Sequence, residues 1–320
     1  MVPITRTVLQ HHALLYNDDQ VLASLAAPFV REGLDRGERV FLGSRGAPVA
    51  PLLAALFGAE RGVTLTERNR YSRPVAVLDQ YQRAMDAGLR QGVPGFRAIE
   101  FTAVDDTEVG WQEWLRLEAS VNRVFADYPL RTLCPCDVRR LDGRAAAFAA
   151  AHPCLLEADG GERPNEEYVD PVELVNRPEH LPKPDPLEAG PPVFDAEVGS
   201  DLRRLRVDIY PVTMASELPR LKVDDFVKAI GSVVLNSWAH GKPPVRLRIW
   251  AGPHRLLCAV TDRGAGIADP FAGYVKPRAG PPGEPIVAGG FGLWAARQLC
   301  DTLDYASDAA GFTVRLRVRG

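Results

Sequence analysis

Ser232, Asn236 and His240 recur at four-residue intervals within an otherwise apolar stretch of the chain. In a helix this spacing places the three polar side chains on one face. An opposite, buried face is predicted from five apolar residues at helical spacing: Val223, Phe226, Val227, Ile230 and Val234. Because Mg²⁺ prefers oxygen ligands and keeps several waters, the amide oxygen of Asn236 suits a Mg²⁺ ion that bridges nucleotide phosphates.

A carboxylate and two glycines, Asp262, Gly264 and Gly266, directly follow a strand pattern. A carboxylate at a strand end can accept a hydrogen bond from an exocyclic amine such as that of adenine. The glycines let the backbone approach a ligand closely. In isolation this segment is more often a plain turn, and Asn236 with His240 equally fits the end of a helix.

Gly290, Gly292 and Leu293 belong to the segment GGFGL, which opens a further helix pattern. Free backbone N–H groups at a helix start, with glycines beside them, favour an anion. The preceding Gly- and Pro-rich segment, residues 269–288, is long enough to form a mobile lid. Thr313 follows on the last strand pattern. The order of these four pieces predicts a nucleotide site more strongly than any one of them.

The order N-x-x-x-H-G, D-x-G-x-G, G-x-G-L and G-x-T-V resembles the GHKL ATPase family, especially its bacterial anti-sigma factors and serine kinases. The resemblance covers residues 201–320 and implies an α+β, Bergerat-type fold that binds ATP and Mg²⁺. It implies that Asn236 chelates Mg²⁺, that Asp262 reads adenine and that Thr313 supports the adenine site. The other implied pocket and lid-hinge residues are His240, Gly264, Gly266, Gly290, Gly292 and Leu293.

One position departs from this family pattern. Kinases of this type carry a glutamate four residues before the asparagine, as general base for the attacking hydroxyl, and this chain has Ser232 there. A serine hydroxyl does not take up a proton near neutral pH as a carboxylate does. Asp224 and Asp225 lie about three helical turns from Asn236. The sequence therefore leaves kinase activity open.

Helical patterns, interrupted near Pro211 and Pro219, precede three alternating strand patterns in this half of the chain. This order predicts an α+β domain. The inward strand residues are predicted to be Val245, Leu247, Ile249, Val314, Leu316 and Val318. The arginines of these strands are expected on the solvated face of a one-sided sheet, or against a partner: Arg246, Arg248, Arg315, Arg317 and Arg319.

The N-terminal half alternates strand and helix patterns, which predicts an α/β layer with a mostly parallel sheet. Helices are expected near residues 21–36, 49–57 and 75–87, and strands at ALLY, RVFLG, GVTLT and FRAIEFTAV. No GxxxxGK[ST] occurs, so a phosphate-binding P-loop is not expected here.

Several short motifs over residues 8–170 resemble the MEDS sensory domain of methanogen and methylotroph regulators. They comprise His11 or His12 with Tyr16, the segment EGLDRGERVFL, Glu118 with Asn122, LCPCD at residues 133–137, His152-Pro153, and Asn165 with Tyr168. The resemblance implies an α/β relative of RecA-type ATPases that lacks the P-loop. It also implies a fusion of a sensory half to a GHKL half, an order common in anti-sigma regulators.

Three hypotheses remain open for what this half senses. Cys134, Cys136, His152 and Cys154 offer four soft ligands that would make a tetrahedral Zn²⁺ site if their segments meet. Reversible oxidation of the C-x-C thiols is a second hypothesis. A small organic ligand held by His12, Tyr16, Glu118 and Asn122 is the third. At least one of His11 and His12 is otherwise expected to be a strand-edge residue.

The segment 171–200 is rich in proline and acidic residues and carries no sustained periodicity, so we predict a stiff linker between two domains. The net charge of −3 gives no overall attraction to nucleic acid or to an anionic membrane. The beginning of the chain lacks the apolar core of a signal peptide, and no stretch is apolar enough for a membrane helix. Five cysteines, an odd number, indicate reduced thiols. A cytoplasmic protein is expected.

Together these features predict a signal-responsive anti-sigma regulator of transcription, whose C-terminal half binds ATP and a sigma factor, an anti-sigma factor antagonist of the STAS-domain type, or both. Neither direct DNA binding nor membrane binding is expected, and a homodimer is possible. One alternative is an active serine/threonine kinase that phosphorylates the antagonist. The other is a degenerate module in which both halves serve only as protein docking surfaces.

Overall fold

The computed structural model describes residues 8–44, 52, 63–67, 73–101, 108–141, 143–276 and 291–320. Contacts within it divide the chain into two compact units, residues 1–72 with 80–177, and residues 73–79 with 178–320. Among the helices that the structure describes, every one is too short or too polar to cross a bilayer.

The N-terminal unit is built on a seven-stranded sheet with the order β3-β2-β4-β5-β1-β6-β7. Neighbouring strands are parallel throughout, except for the antiparallel pair β6 and β7. The strands are β1 Gln10–Tyr16, β2 Arg39–Ser44, β3 Val63–Glu67, β4 Phe96–Glu100, β5 Leu130–Asp137, β6 Cys154–Leu156 and β7 Glu162–Pro164. The predicted α/β layer with a mostly parallel sheet is thus confirmed, while its relation to RecA-type ATPases stays a prediction.

Helices join the parallel strands of this sheet, as parallel connections require. They are α1 Asp19–Asp35, α2 Pro74–Arg90, α3 Glu108–Val124 and α4 Ala145–Ala150, and a short helix, α5 Pro171–Val175, follows the last strand β7. α1 begins where the Asp18 side chain accepts a hydrogen bond from the backbone N–H of Gln20 at 2.8 Å. It ends before Gly37, whose φ of 72° suits a residue without Cβ. The helix expected at residues 49–57 lies, apart from Leu52, outside the described residues.

β1 lies between β5 and β6, so it is an interior strand of the sheet. The expectation that His11 or His12 is a strand-edge residue is therefore wrong. Both histidines are buried, with 0% and 3% of their surface exposed. Leu14 and Tyr16 pack into the apolar core that contains α1 residues such as Leu22. Since successive strand residues point to opposite faces, His11 lies on the other face of the sheet.

The C-terminal unit is built on a five-stranded antiparallel sheet with the order β11-β12-β10-β9-β8. The strands are β8 Phe194–Glu197, β9 Arg246–Gly252, β10 Arg255–Asp262, β11 Thr302–Asp308 and β12 Gly311–Arg319. The helices are α6 Leu202–Met214, α7 Arg220–His240 and α8 Phe291–Leu299. The predicted α+β domain is confirmed. Pro211 does not break α6, contrary to expectation, and Pro219 instead precedes α7.

One face of this sheet packs against α7. The predicted apolar face of α7 is fully buried there, and so are all six inward strand residues predicted from the sequence. Helix residues Phe226 and Ile230 and strand residues Leu247 and Leu316 are 0% exposed. Burial of this apolar surface is the main source of the unit's stability.

The segment predicted to be a stiff linker is partly folded onto the other face of the same sheet. Two 3₁₀ helices, Pro178–His180 and Pro186–Ala189, precede β8, which pairs with β9. Leu187 packs on an apolar cluster of Trp250, Leu257 and Ala259. The structure differs from the predicted stiff linker of residues 171–200 at residues 178–197, because this segment buries an apolar side chain and completes the sheet.

The same segment explains why the arginine face is not solvated as expected. Arg315 and Arg317 are only 9% and 6% exposed. Arg315 pairs with Glu188 at 2.8 Å, and Arg317 pairs with Asp185 at 2.9 Å and also with Asp304. The prediction of a one-sided sheet is therefore wrong for these arginines, since acidic residues of the predicted linker neutralise them. Arg246, by contrast, is exposed and pairs with Asp195 of β8 at 2.7 Å.

Candidate functional site

The polar face of α7 ends at the C-terminal unit's candidate site. Asn236 is partly exposed, His240 is exposed as the last residue of the helix, and the N–H of Gly241 donates to the carbonyl of Ser237 at 2.9 Å. The opposite face is held in the core, so the direction in which Asn236 points is set by packing. α7 thus positions an amide side chain beside its own C-terminal turn.

Asp262 ends β10 next to that turn and is a buried carboxylate, 2% exposed. Its Oδ1 accepts hydrogen bonds from the backbone N–H of Gly264 at 2.7 Å and of Lys242 at 3.4 Å. Within the part of the chain that the structure describes, both of these bonds are to Oδ1. Oδ2 therefore remains available to an external donor such as an exocyclic amine.

Two glycines allow the close approach of the α7 terminus to this carboxylate. A Cβ on Gly241 would collide with the side chain of Asp262. A Cβ on Gly264 would lie 2.7 Å from Oδ1 of Asp262 and 2.9 Å from Cα of Gly241. Larger residues at either position would displace the carboxylate, which explains the glycine in the pattern N-x-x-x-H-G as well as the first glycine of D-x-G-x-G.

The last strand closes the site from the other side. Gly266 has a φ of 81°, and its Cβ would lie 2.8 Å from the ring of Phe312, which is in register with Asp262 across β10 and β12. Thr313, 3% exposed, shares a hydrogen bond of 2.8 Å with the hydroxyl of Thr261. Thr313 therefore lies one position from Asp262 in the ladder, and because side chains alternate along a strand, its hydroxyl lies on the face of the sheet opposite to the Asp262 carboxylate.

The start of α8 reaches the polar face of α7. A Cβ on Gly292 would lie 3.1 Å from the carbonyl of Ser232 and 3.5 Å from Oδ1 of Asn236. Leu293 is 1% exposed and belongs to the apolar core, so it anchors α8 rather than facing a ligand. Gly290 lies outside the described residues.

The first part of the segment predicted as a mobile lid is packed against the domain. Phe271 and Tyr274 are 4% and 1% exposed. The guanidinium of Arg297 lies 4.1 Å from the centre of the Tyr274 ring and donates to the carbonyl of Ala272 at 3.2 Å. Residues 269–276 are therefore packed against the domain, whereas residues 277–288 lie outside the described part of the chain, so the mobile lid stays a prediction.

At the position where a general base was expected, the Ser232 hydroxyl donates to the carbonyl of Lys228 at 3.1 Å. The nearest acidic residues on the same helix are engaged elsewhere. Asp224 accepts from the hydroxyl of Tyr210 at 2.8 Å, and Asp225 pairs with Lys228 at 3.3 Å. Neither carboxylate replaces the missing base.

Sequence reasoning did not assign a role to Thr261, Phe312 or the Lys242 amide, all of which contact the site. Their partners are set by strand register and by the turn after α7. A period-two pattern identifies the buried face of a strand, but it does not identify which residue of the neighbouring strand lies in register with each position. The only sequence signal for the α7 turn is the H-G pair itself, with Gly241 next to the helix end.

The N-terminal unit holds a second polar cluster, which is fully buried. His11 of β1, Glu118 of α3, Cys134 of β5 and His152 after α4 are 0%, 6%, 2% and 0% exposed. Oε1 of Glu118 lies 3.1 Å from Nε2 of His11 and 2.9 Å from Nε2 of His152. Sγ of Cys134 lies 3.4 Å from Nε2 of His11.

Burial shifts the pKa values of the ionisable groups in this cluster. It lowers the pKa of His11, and the neighbouring His152 lowers it further, against the raising effect of Glu118. Burial and the Glu118 charge raise the pKa of the Cys134 thiol well above its ordinary value. The pKa of Cys136 is raised as well, chiefly by burial. Neither thiol is disposed to ionise on its own, which is unfavourable for the thiol-oxidation hypothesis.

The predicted organic-ligand residues are not brought together. Glu118 and Asn122 contact His11, whereas His12 lies on the opposite face of β1, with Nε2 at 3.2 Å from Glu162 and Nδ1 at 3.3 Å from the carbonyl of Thr132. Tyr16 shares the face of His12 and packs into the α1 core. Because successive side chains of a strand point to opposite faces of the sheet, His11 and His12 cannot belong to the same site.

The predicted zinc ligands are not gathered either. Of the four, only Cys134 and His152 belong to the group of potential ligands that the described residues form. Cys154 is in register with His12 on β6. Zinc at Cys134, Cys136, His152 and Cys154 is thus not supported.

A parallel α/β unit precedes an antiparallel α+β unit in which α7, the glycine turns and Asp262 converge, an arrangement consistent with a GHKL-type ATPase domain. Family models agree with both halves. The model described as "MEDS: MEthanogen/methylotroph, DcmR Sensory domain" matches residues 10–153, and the "Histidine kinase-like ATPase domain" matches residues 194–318. The chain therefore contains a MEDS sensory domain followed by a histidine kinase-like ATPase domain, which confirms the predicted fusion.

Among solved structures, the "Mycobacterial sensor histidine kinase MprB" is 18% identical, with a TM-score of 0.26, over 40% of this chain and 97% of that chain. The search of curated proteins found no match.

Proposed function

We propose that this protein is a signal-responsive anti-sigma regulator of transcription that acts in the cytoplasm. Its ATPase-type domain binds ATP with Mg²⁺ and a sigma factor or a STAS-domain antagonist, and its MEDS domain receives the signal. A histidine kinase-like ATPase domain implies ATP binding. The observation that carries the proposal is the buried Asp262 carboxylate, which has one oxygen held by backbone N–H groups and the other available.

The residues fit an adenine nucleotide. Oδ2 of this carboxylate can only accept a hydrogen bond, and the exocyclic amine of adenine is a donor of the right kind. Because Gly241 and Gly264 carry no Cβ, the turn after α7 and the turn after β10 pack closely around the carboxylate and hold it in place.

The phosphate side of the site is formed by Asn236 and the start of α8. Asn236 offers an amide oxygen where Mg²⁺ would be held between the phosphates and α7. Gly292 lets the first turn of α8, whose N–H groups have no partner within the helix itself, come within contact of that side chain. When bound, the ion would neutralise phosphate charge, and this chain supplies the oxygen ligand and the anion-binding helix start.

Binding without phosphoryl transfer follows from Ser232. The residue at the base position cannot accept the proton of an attacking hydroxyl, and its hydroxyl hydrogen is directed to Lys228. ATP then acts by biasing the domain between states of different partner affinity. Exposed apolar residues of α7, Leu235 and Trp238 at 42% each, lie beside Asn236 in the sequence and suit a protein partner.

Calorimetric titration of the full chain with ATP and Mg²⁺ tests the proposal. We expect the wild type to bind and Asp262→Asn to lose roughly 10- to 100-fold in affinity, about 1.4 to 2.8 kcal/mol, because the amide repels the adenine donor. Asp208→Asn, at an exposed i,i+4 pair on α6, is the matched control and should bind normally. A folded wild-type protein that binds neither ATP nor ADP would refute it.

A serine/threonine kinase of the antagonist is the second candidate. It is favoured by Asn236, which retains the position of the Mg²⁺ ligand next to Gly292. Transfer of labelled phosphate from ATP to a STAS-domain antagonist, abolished in Asn236→Ala, would establish this candidate. ATP binding without transfer supports the regulator, and docking without any ATP binding supports the degenerate module.

A further inference from the structure

The side chains of His11, Glu118, Cys134 and His152 form one closed group. Their potential ligand atoms, two imidazole nitrogens, one carboxylate oxygen and one thiol sulfur, all lie within 4.8 Å of one another. Each comes from a different segment of the MEDS domain, and all four are buried. A buried group of this composition needs a compensating interaction, because uncompensated polar groups in an interior are costly.

The orientation of Asn122 settles the tautomer of His11. The Asn122 Nδ2 group donates to the carbonyl of Ala151 at 2.8 Å, so its Oδ1 is the atom that faces Nδ1 of His11 at 3.0 Å. Oδ1 can only accept. Nδ1 of His11 must therefore carry the hydrogen, and in the neutral ring Nε2 presents a lone pair to the centre of the cluster.

His152 is fixed in the same way. Its Nδ1 lies 2.8 Å from the carbonyl of Phe148, which also can only accept. Nδ1 of His152 is thus the donor, and its Nε2 lone pair faces the same centre. A histidine whose distal N–H is held by a carbonyl or amide oxygen while the other nitrogen faces inward has the arrangement typical of metal ligands.

Without a cation this arrangement is poorly satisfied. Oε1 of Glu118 is an acceptor placed 3.1 Å and 2.9 Å from two nitrogens that are themselves acceptors in neutral rings. Hydrogen bonds at both contacts would require two imidazolium ions whose ring centres are 4.2 Å apart. Two like charges so close in a buried site are unfavourable. A cation at the centre converts all of these lone pairs into ligands at once.

We propose that His11, Glu118, Cys134 and His152 bind one divalent transition-metal ion of the zinc type. Two imidazoles, a thiolate and a carboxylate are the donors that Zn²⁺ takes in tetrahedral sites. With metal–ligand bonds of about 2.0–2.3 Å, donor atoms of such a site lie about 3.5 Å apart. The separations of 2.9 to 3.4 Å between neighbouring donors are close to this value, and no two of the four donors are more than 4.8 Å apart.

The site is of the closed, structural kind. Four protein ligands leave no position for water or substrate. The ion fastens α3, through Glu118, and the residue after α4, His152, to the strands β1 and β5 in the middle of the sheet. Asn122 and the Phe148 carbonyl orient the two imidazoles. Metal binding therefore stabilises the folded MEDS domain, because the unfolded chain holds these residues far apart.

Cobalt substitution tests the site directly. The full chain is stripped with a chelator and titrated with Co²⁺ under anaerobic conditions. We expect one equivalent to bind, with a thiolate-to-cobalt band in the near ultraviolet and tetrahedral d–d bands in the visible. Zn²⁺ should displace it. Folded protein that takes up no Co²⁺ or Zn²⁺ at micromolar concentrations would overturn the proposal without any variant.

A pair of cysteine variants tests the ligand assignment. Cys134→Ser should lose the thiolate band, whereas Cys136→Ser, at an equally buried thiol two residues further along β5, should keep it. Loss of the band in Cys136→Ser and its retention in Cys134→Ser would overturn the assignment. Asn122→Ala, which removes the partner of His11 but no ligand, should weaken Zn²⁺ binding by about 10- to 100-fold at unchanged stoichiometry. Unchanged affinity would contradict the role of Asn122.

Discussion

Gly292 lies directly against Asn236, so that a Cβ added to the glycine would stand 3.4 Å from Cβ and 3.5 Å from Oδ1 of the asparagine. The two residues come from sequence motifs that are separated by 56 positions, and their contact joins the start of α8 to the polar face of α7. This contact brings the anion-binding helix start to the proposed Mg²⁺ ligand.

Replacement of Gly292 by alanine should have opposite effects on ATP affinity and on the stability of helix α8. The new Cβ would press on the Ser232 carbonyl at 3.1 Å and shift Asn236, so we expect ATP affinity to fall about tenfold. Helix α8 itself should gain roughly 0.5–1 kcal/mol, because alanine favours a helix over glycine. Calorimetry and denaturant unfolding measure the two effects. Gly199→Ala, where a Cβ meets nothing within 4 Å, should leave affinity unchanged.

The variant Ser232→Glu should create a general base one turn before Asn236. If the phosphates lie where proposed, transfer of labelled phosphate to a STAS-domain antagonist should rise by about 10²- to 10⁴-fold, the usual contribution of such a base. Ser232→Gln has nearly the same shape but no basic group, and it should remain at the wild-type level. Equal rates in both variants would argue against a missing base as the cause of low activity.

Glu188 should contribute to the stability of the ATPase-type domain although it lies in the predicted linker. Its ion pair with Arg315 is nearly buried, with 13% and 10% of the two side chains exposed. Glu188→Gln leaves the guanidinium poorly compensated, so we expect a loss of about 1–3 kcal/mol in the free energy of unfolding. Glu217→Gln removes an exposed pair with His254 and should cost less than about 1 kcal/mol. Equal effects would contradict a structural role for the segment.

Alkylation of the native protein should distinguish the thiols of the MEDS domain. Cys154 is partly exposed, whereas Cys136 is 2% exposed. Burial also raises the pKa of both thiols, and that of Cys136 further, so at pH 8 less thiolate is present at Cys136. We expect iodoacetamide to modify Cys154 about tenfold faster or more, as read by peptide mass spectrometry. Faster labelling of Cys136 would favour the thiol-oxidation hypothesis.

Local patterns were sufficient for the main elements of both sheets and for the identity of both domains. Helical spacing identified α7 and its buried face, and alternation identified the inward residues of β9 and β12, because these periods follow from backbone geometry. The order of the motifs around Asn236, Asp262 and Thr313 was sufficient to predict a histidine kinase-like ATPase domain. Each of these periods and motifs depends on residues close together in the chain.

Contacts between elements that are distant in the chain were decided only by the tertiary structure. Both His11 and His12 suit a buried strand, and it is the position of α3 on one face of β1 that selects His11 for contact with Glu118. Residues 185–190 read as a linker, because their proline and acidic residues have no partner in the local sequence. The partners come from distant strands: Arg315 and Arg317 pair with the acidic residues, and the indole N–H of Trp250 donates to the backbone of the segment. Leu187 is buried against the apolar cluster that contains Trp250, and this burial favours the folded arrangement over a solvated chain.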